Sequence, residues 1–123
     1  MAQLTVKKLR ITEQATVNTL TAVGDVFEGS ALGLSAGGAR QLVAGDRFLG
    51  FAKEDAASGV DVQIDPPGQG GRVIVDVIGV GVNSVGGDVY ASDGDTFTLT
   101  IGANTMIGTV LRIVSGITCV VQT

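Results

Sequence analysis

The side chains in this sequence with the most obvious chemical potential are carboxylates. Asp93 and Asp95 flank Gly94, so a turn through the glycine would bring two carboxylates together, a spacing that suits calcium or a general acid-base pair. The run lacks the alternating acidic ligands and distal glutamate of a calcium loop, and Asp-Gly is an ordinary turn dipeptide, so a turn is the simpler reading. Glu54-Asp55 and Asp61 with Asp65 offer further carboxylates, but nothing near them predicts the burial that would raise a carboxyl pKa, and they read as solvated loop charges. Gly79-Val80-Gly81 follows a strand-like run. However, Asn83-Ser84-Val85-Gly86-Gly87 supplies neither the helix start nor the third glycine of a phosphate-binding fingerprint.

The chain has no histidine, which removes the usual general base near neutral pH and with it Ser-His-Asp and Cys-His nucleophilic arrangements. Cys119 is the single cysteine, so neither an intrachain disulfide nor a cysteine-rich zinc site is possible. The expectation is a protein without catalytic residues, metal or cofactor, working through its surface.

The elements that would carry such a surface are strands. A chain of 123 residues fits one domain, and its 19 glycines supply many turns. Valine dominates its apolar positions, with isoleucine and threonine also frequent, and β-branched side chains suit a pleated sheet better than a helix. From Val17 onward short runs recur between turn signals: Val17 to Val23, Val26 to Glu28, Ala31 to Leu34, Arg40 to Val43, Phe48 to Lys53 and Val60 to Ile64. The stretch from Gln63 through Pro66-Pro67-Gly68 to Gly71 cannot continue a ladder and predicts a surface loop. Beyond it, Val73 to Ile78 is apolar on both faces apart from Asp76, which predicts a central strand covered on both sides. Further strands are predicted at Asp88 to Ser92, Phe97 to Ile101, Met106 to Val114 and Ile117 to Gln122. Ser115-Gly116 would turn the last two into a closing hairpin, with Cys119 in the core. Helix should be minor: one turn at Val82 to Gly86, with Asn18 to Ala22 as an alternative helix start.

Aromatic anchors are scarce. Phe48, Phe51, Tyr90 and Phe97 are the predicted core anchors, with Tyr90 and Phe97 packing across the hairpin that turns at Asp93-Gly94-Asp95. Truncating any of them to alanine should cost ~3 kcal/mol or more. Gly45-Asp46 should turn the chain into the Phe48 strand, and Gly50 should mark a bulge or a close backbone approach.

Charge divides the chain. Lys7, Lys8 and Arg10 put +3 into the first ten residues, which leaves five positive against twelve negative charges, or −7, for the remainder. An acidic body without an aromatic stacking platform argues against nucleic acid as a partner. The polar opening shows no secretory pattern. Val73 to Val82, interrupted by Asp76, falls far short of the ~18 apolar residues of a membrane span, so no membrane partner is expected. Residues 1–14, where Leu4, Val6, Leu9 and Ile11 alternate weakly, read as an arm that could order by adding to a partner, or equally as an edge strand or frayed terminus.

Three segments, Phe27 to Leu34, Val43 to Ala52 and Val89 to Leu99, together with the closing run Ile107 to Gly116, resemble the capsid decoration, or cement, proteins of tailed bacteriophages. The resemblance runs from about Val26 to the C-terminus and rests on glycines and apolar anchors, with no catalytic motif. It implies an all-β fold, a small β-barrel or β-tulip-like domain over residues 15–123 with an extended N-terminal arm over 1–14. It also implies assembly as homotrimers on the capsid exterior, after synthesis in the host cytoplasm. The partner would be the major capsid protein, reached by the arm through Leu4, Val6, Lys7, Lys8 and Arg10, with no small-molecule substrate. The Pro66-Pro67-Gly68 loop and the Gly79 to Gly87 stretch depart from the common pattern. Other readings stay open: another oligomeric virion protein of the tail tube or head completion, an adhesion module displayed on the capsid, or a carboxylate-based hydrolase using Asp93 and Asp95.

Overall fold

The computed structural model describes residues 18–68 and 71–123, and these are all-β apart from one 3-10 turn at Val82–Ser84. Ten strands follow in order: β1 Asn18–Thr21, β2 Ala31–Ser35, β3 Gly38–Gln41, β4 Phe48–Ala52, β5 Asp61–Asp65, β6 Arg72–Ile78, β7 Asp88–Ala91, β8 Phe97–Thr98, β9 Thr105–Ser115 and β10 Thr118–Gln122. The alternative helix start at Asn18 to Ala22 is strand β1, and the Val26 to Glu28 run keeps only an isolated bridge between Val26 and Ala56.

The β-barrel expected from the sequence is present, and it is preceded by a second five-stranded unit. Strands β6 to β10 form a closed barrel in the order β10-β6-β8-β7-β9, with β9 returning to β10 and β6 running parallel to β8. Strands β1 to β5 form a sheet in the order β1-β5-β4-β2-β3. Its two edges meet at one parallel bridge, Ala22 to Ala39, where the Val23 N–H donates to the Ala39 carbonyl at 2.7 Å.

The two halves share one topology. Every antiparallel pairing in the first half (β1 with β5, β5 with β4, β4 with β2, β2 with β3) has its counterpart in the second (β6 with β10, β10 with β9, β9 with β7, β7 with β8). The parallel contact of β1 with β3 matches that of β6 with β8. Register agrees as well. Leu32 pairs with Gly50 and Gly33 with Phe48, leaving Leu49 as a bulge; Val89 pairs with Gly108 and Tyr90 with Met106, leaving Ile107 as a bulge. The following pairs, Ala52 with Ile64 and Val110 with Val121, also coincide.

Glycine holds the same places in both halves because the backbone demands it. A Cβ on Gly50 would run into the carbonyl oxygen of Asp65, and one on Gly108 into that of Gln122, its counterpart. Gly29 and Gly86 both sit at positive φ (+87° and +85°), where an L side chain is strained. Each donates its N–H to the partner strand, Gly29 to Ala52 O at 2.9 Å and Gly86 to Val110 O at 2.8 Å.

Each half has its own core. Ala22, Val26, Leu32, Ala39, Ala52, Ala56, Val62 and Ile64 fill the first. The second holds Val77, Val89, Ala91, Phe97, Ile107, Val110, Cys119 and Val121, and it is completed from the first half by Ala31, Leu42 and Phe51, with Phe48 packed against it. Phe51 meets Phe97 at a ring-centroid distance of 5.9 Å and Phe48 edge-on at 5.6 Å. The first half therefore plugs the second.

Two sequence expectations fail for reasons of register. Tyr90 pairs with Thr98 while Ala91 pairs with Phe97, so Tyr90 and Phe97 face opposite sides of the sheet; Tyr90 is half-buried and belongs to neither core. Strand β6 is not covered on both sides: Val77 is buried, but Ile74 and Ile78 are 62% and 59% exposed. An apolar run on both faces cannot distinguish a buried strand from one whose outer face is kept apolar for another purpose.

Candidate functional site

The carboxylates singled out by spacing are occupied in local structure. Asp93 accepts the Asp95 N–H at 2.9 Å and the Thr96 hydroxyl at 3.1 Å, closing its own turn, and its backbone bridges to Val43 of the first half. Glu54 accepts the Gln63 N–H, Asp55 the Glu28 N–H, and Asp61 the Thr21 hydroxyl; Asp65 lies 3.6 Å from Lys53. Each ties one turn or strand to another. Asp93 and Asp95 are not joined by a third ligand, and no group of three metal-binding side chains occurs among the described residues.

Asp46 is the most constrained carboxylate. It receives Arg40 Nε at 3.0 Å, Arg40 Nη2 at 2.8 Å and the Val43 N–H at 3.0 Å, and its side chain is only 10% exposed. The Arg40 hydrogen bond holds its carboxyl below the usual carboxylate range, with help from the Val43 N–H and the Arg40 charge and against the opposing effect of burial. The pair lies over Gly33, where a Cβ would collide with the Asp46 side chain. Cys119 is fully buried, and burial followed by the nearby Asp76 charge pushes its thiol pKa up, away from a nucleophilic thiolate. Every buried side-chain polar atom among the described residues has a hydrogen-bond partner. These groups tie strands and turns of the fold together.

The surface carries more information. Residues paired in register project to the same side of a sheet, so Ile78, Thr98, Tyr90 and Met106 form a continuous row across the outside of the barrel from β6 through β8 and β7 to β9. Met106 is 50% exposed, and Ile101 in the turn before β9 is 64% exposed. The row is apolar at both ends, with Thr98 and Tyr90 half-buried between them.

The equivalent row in the first half is treated differently. Val23, Arg40, Gly33 and Phe48 take the places of Ile78, Thr98, Tyr90 and Met106. There Gly33 is covered by the Asp46 carboxylate, and Phe48 is packed against the barrel core. The face is therefore present twice, covered at Gly33 and Phe48 in the first half and exposed at Ile78 and Met106 in the second.

Of the predicted site residues, Phe51 and Phe97 are buried together, Phe48 is half-buried beside them, and Tyr90 lies in the outer row. Leu4, Val6, Lys7, Lys8 and Arg10 lie outside the described residues. Sequence reasoning missed Ile78, Ile101 and Met106, which an apolar count assigns to the interior. The pairing register turns Ile78 and Met106 outward, the latter at the Ile107 bulge, and Ile101 is exposed in the turn before β9. No protein-family model matches the chain, and no curated protein matches it.

Proposed function

We propose that the chain is a non-enzymatic structural protein of a tailed-phage virion, binding the outer surface of the capsid as a trimer and stabilising the shell by bridging major capsid protein subunits. The observation that carries this reading is the surface: a β scaffold with exposed Ile78, Ile101 and Met106 on its outside, and with Asp46, Glu54, Asp55 and Asp93 committed to its own turns. The resemblance of Val43 to Ala52 and Val89 to Leu99 to decoration proteins supplies the partner. Stabilisation would follow from mass action, because a protein that binds the assembled shell and not its dissociated subunits shifts the equilibrium toward the shell. Symmetric contacts would multiply weak individual ones.

The test is co-sedimentation and electron microscopy of the purified protein with expanded capsids, alongside a chain lacking residues 2–14. Density on the capsid exterior at threefold positions is the expected result, with weaker attachment of the truncated chain. Hexameric rings stacked on tails would assign the protein to the tail tube. Absence of any virion binding would end the reading.

A further inference from the structure

The duplicated topology allows each surface in one half to be compared with its counterpart in the other. The contact between the halves uses two different surfaces. The first half contributes the outer face of β2 and β4 with the turn between β3 and β4. The Ala31 N–H donates to Gly94 O at 2.8 Å, Val43 bridges to Asp93, and the Gly45 N–H donates to the Thr105 hydroxyl at 3.1 Å. The second half receives them on the end of its barrel formed by the β7–β8 turn and the start of β9.

Both surfaces recur in the other half, where no described residue makes the corresponding contacts. In the second half the counterpart of the inserting face is the outside of β7 and β9 with the β8–β9 turn. There Ile101, 64% exposed, stands for Val43, 47% exposed, and Met106, 50% exposed, stands for Phe48, which is half-buried against the barrel core. The two turns even close alike, Asp46 N–H to Val43 O at 2.9 Å and Asn104 N–H to Ile101 O at 2.8 Å. In the first half the counterpart of the receiving end is the β2–β3 turn and the start of β4. There Leu34 stands for Ala91 and Arg47 for Thr105; Ala91 and Thr105 are buried, whereas Leu34 is 39% exposed and Arg47 is exposed. A tandem array of like units satisfies its internal junction and leaves one free face of each kind at its ends.

We propose that a second copy of this chain occupies these faces. The β7–β9 face of one copy, through Ile101 and Met106, seats on the β2–β3 end of the next, at Leu34 and Arg47, in the arrangement of the junction within each chain but with Asp88 and Thr109 in the places of Ala31 and Phe51. Such a contact is heterologous, and a closed ring results when successive rotations sum to a full turn. The inference rests on the self-association in the reading above, but it needs no capsid, so failure to bind shells and failure of this interface are separately observable.

The experiment is light scattering and sedimentation velocity on the purified full-length protein at high micromolar concentration. It uses Met106→Asp to block one face and Leu34→Asp to block the other. The wild-type chain is expected to sediment as an oligomer, and each variant alone as a monomer with an unchanged circular dichroism spectrum. An equimolar mixture of the two variants should form a dimer, since one intact face of each kind remains. Ile101→Asp and Arg47→Glu replace either variant if it does not fold. A monomeric wild type, variants that keep the wild-type mass, or a mixture that stays monomeric would overturn the proposal.

Discussion

The two halves of the molecule wind the same five strands in the same register, yet the outer face of their second and fourth strands has opposite fates. In the first half that face presents Ala31, Phe48 and Phe51 to the neighbouring barrel, and Phe51 reaches its core. In the second half the same positions are Asp88, Met106 and Thr109, and they meet solvent to varying degrees. The backbone constraints are shared by both units, as the glycine pairs Gly50 with Gly108 and Gly29 with Gly86 show. The side chains projecting from that backbone differ according to what covers them.

Truncation of aromatic residues separates the two faces most strongly. Phe51→Ala should cost about 3–5 kcal/mol, because it opens a cavity where the first half plugs the barrel. Tyr90→Ala, at a half-buried position outside both cores, should cost clearly less, about 1–2 kcal/mol, in the isolated chain. Urea unfolding of the two variants, followed by circular dichroism, measures both. Equal losses would mean that the two faces are buried alike and that the contrast between them is false.

Much of the first-order fold was legible in the residues. Alternating β-branched runs closed by glycine locate most of the ten strands, and Ser115-Gly116 correctly separates β9 from β10. The duplication was not legible, because equivalent positions share a backbone role without sharing a residue type: Gly33 matches Tyr90, Ala39 matches Phe97 and Phe51 matches Thr109. Only Val43 to Ala52 and Ile101 to Val110 keep a common pattern, with Leu49-Gly50 matching Ile107-Gly108 at the bulge. The outer row was hidden for a related reason. A strand with apolar residues on both faces reads as buried, and pairing partners are needed to show which face is outside.

The turns before β4 and β9 provide a sharper, smaller test. Asp46 pins the first with Arg40 and the Val43 N–H, while its counterpart Asn104 pins the second through Nδ2 to Thr100 O at 3.0 Å. Asp46→Asn should therefore give the first turn the chemistry of the second, at a cost of about 1–2 kcal/mol at neutral pH, limited by the solvent access of Arg40. The folded-state pKa of Asp46 lies below the unfolded value of about 3.9. Its contribution is thus complete above that value and is lost as pH falls through the lower, folded-state pKa. The stability gap between wild type and Asp46→Asn should narrow in acid. A gap independent of pH would show that the lost interaction is not one of charge.

The smallest effect tests whether the two halves correspond side chain by side chain. In the first half Thr21 on β1 donates its hydroxyl to Asp61 on β5; in the second, Thr118 on β10 donates to Asp76 on β6. Strands β1 and β6 are counterparts, as are β5 and β10, so one pair is the other with donor and acceptor exchanged across the ladder. A cross-strand pair of this kind contributes about 0.5–1 kcal/mol. Asp76→Thr alone should lose most of that, and Thr118→Asp alone should lose it and add repulsion between adjacent carboxylates. The double variant rebuilds the arrangement of the first half and should recover the wild-type unfolding midpoint, so its cost should fall well below the sum of the two single costs. Simple additivity would mean that the strands coincide while the side-chain geometry above them does not, and the correspondence between the halves would then be one of backbone alone.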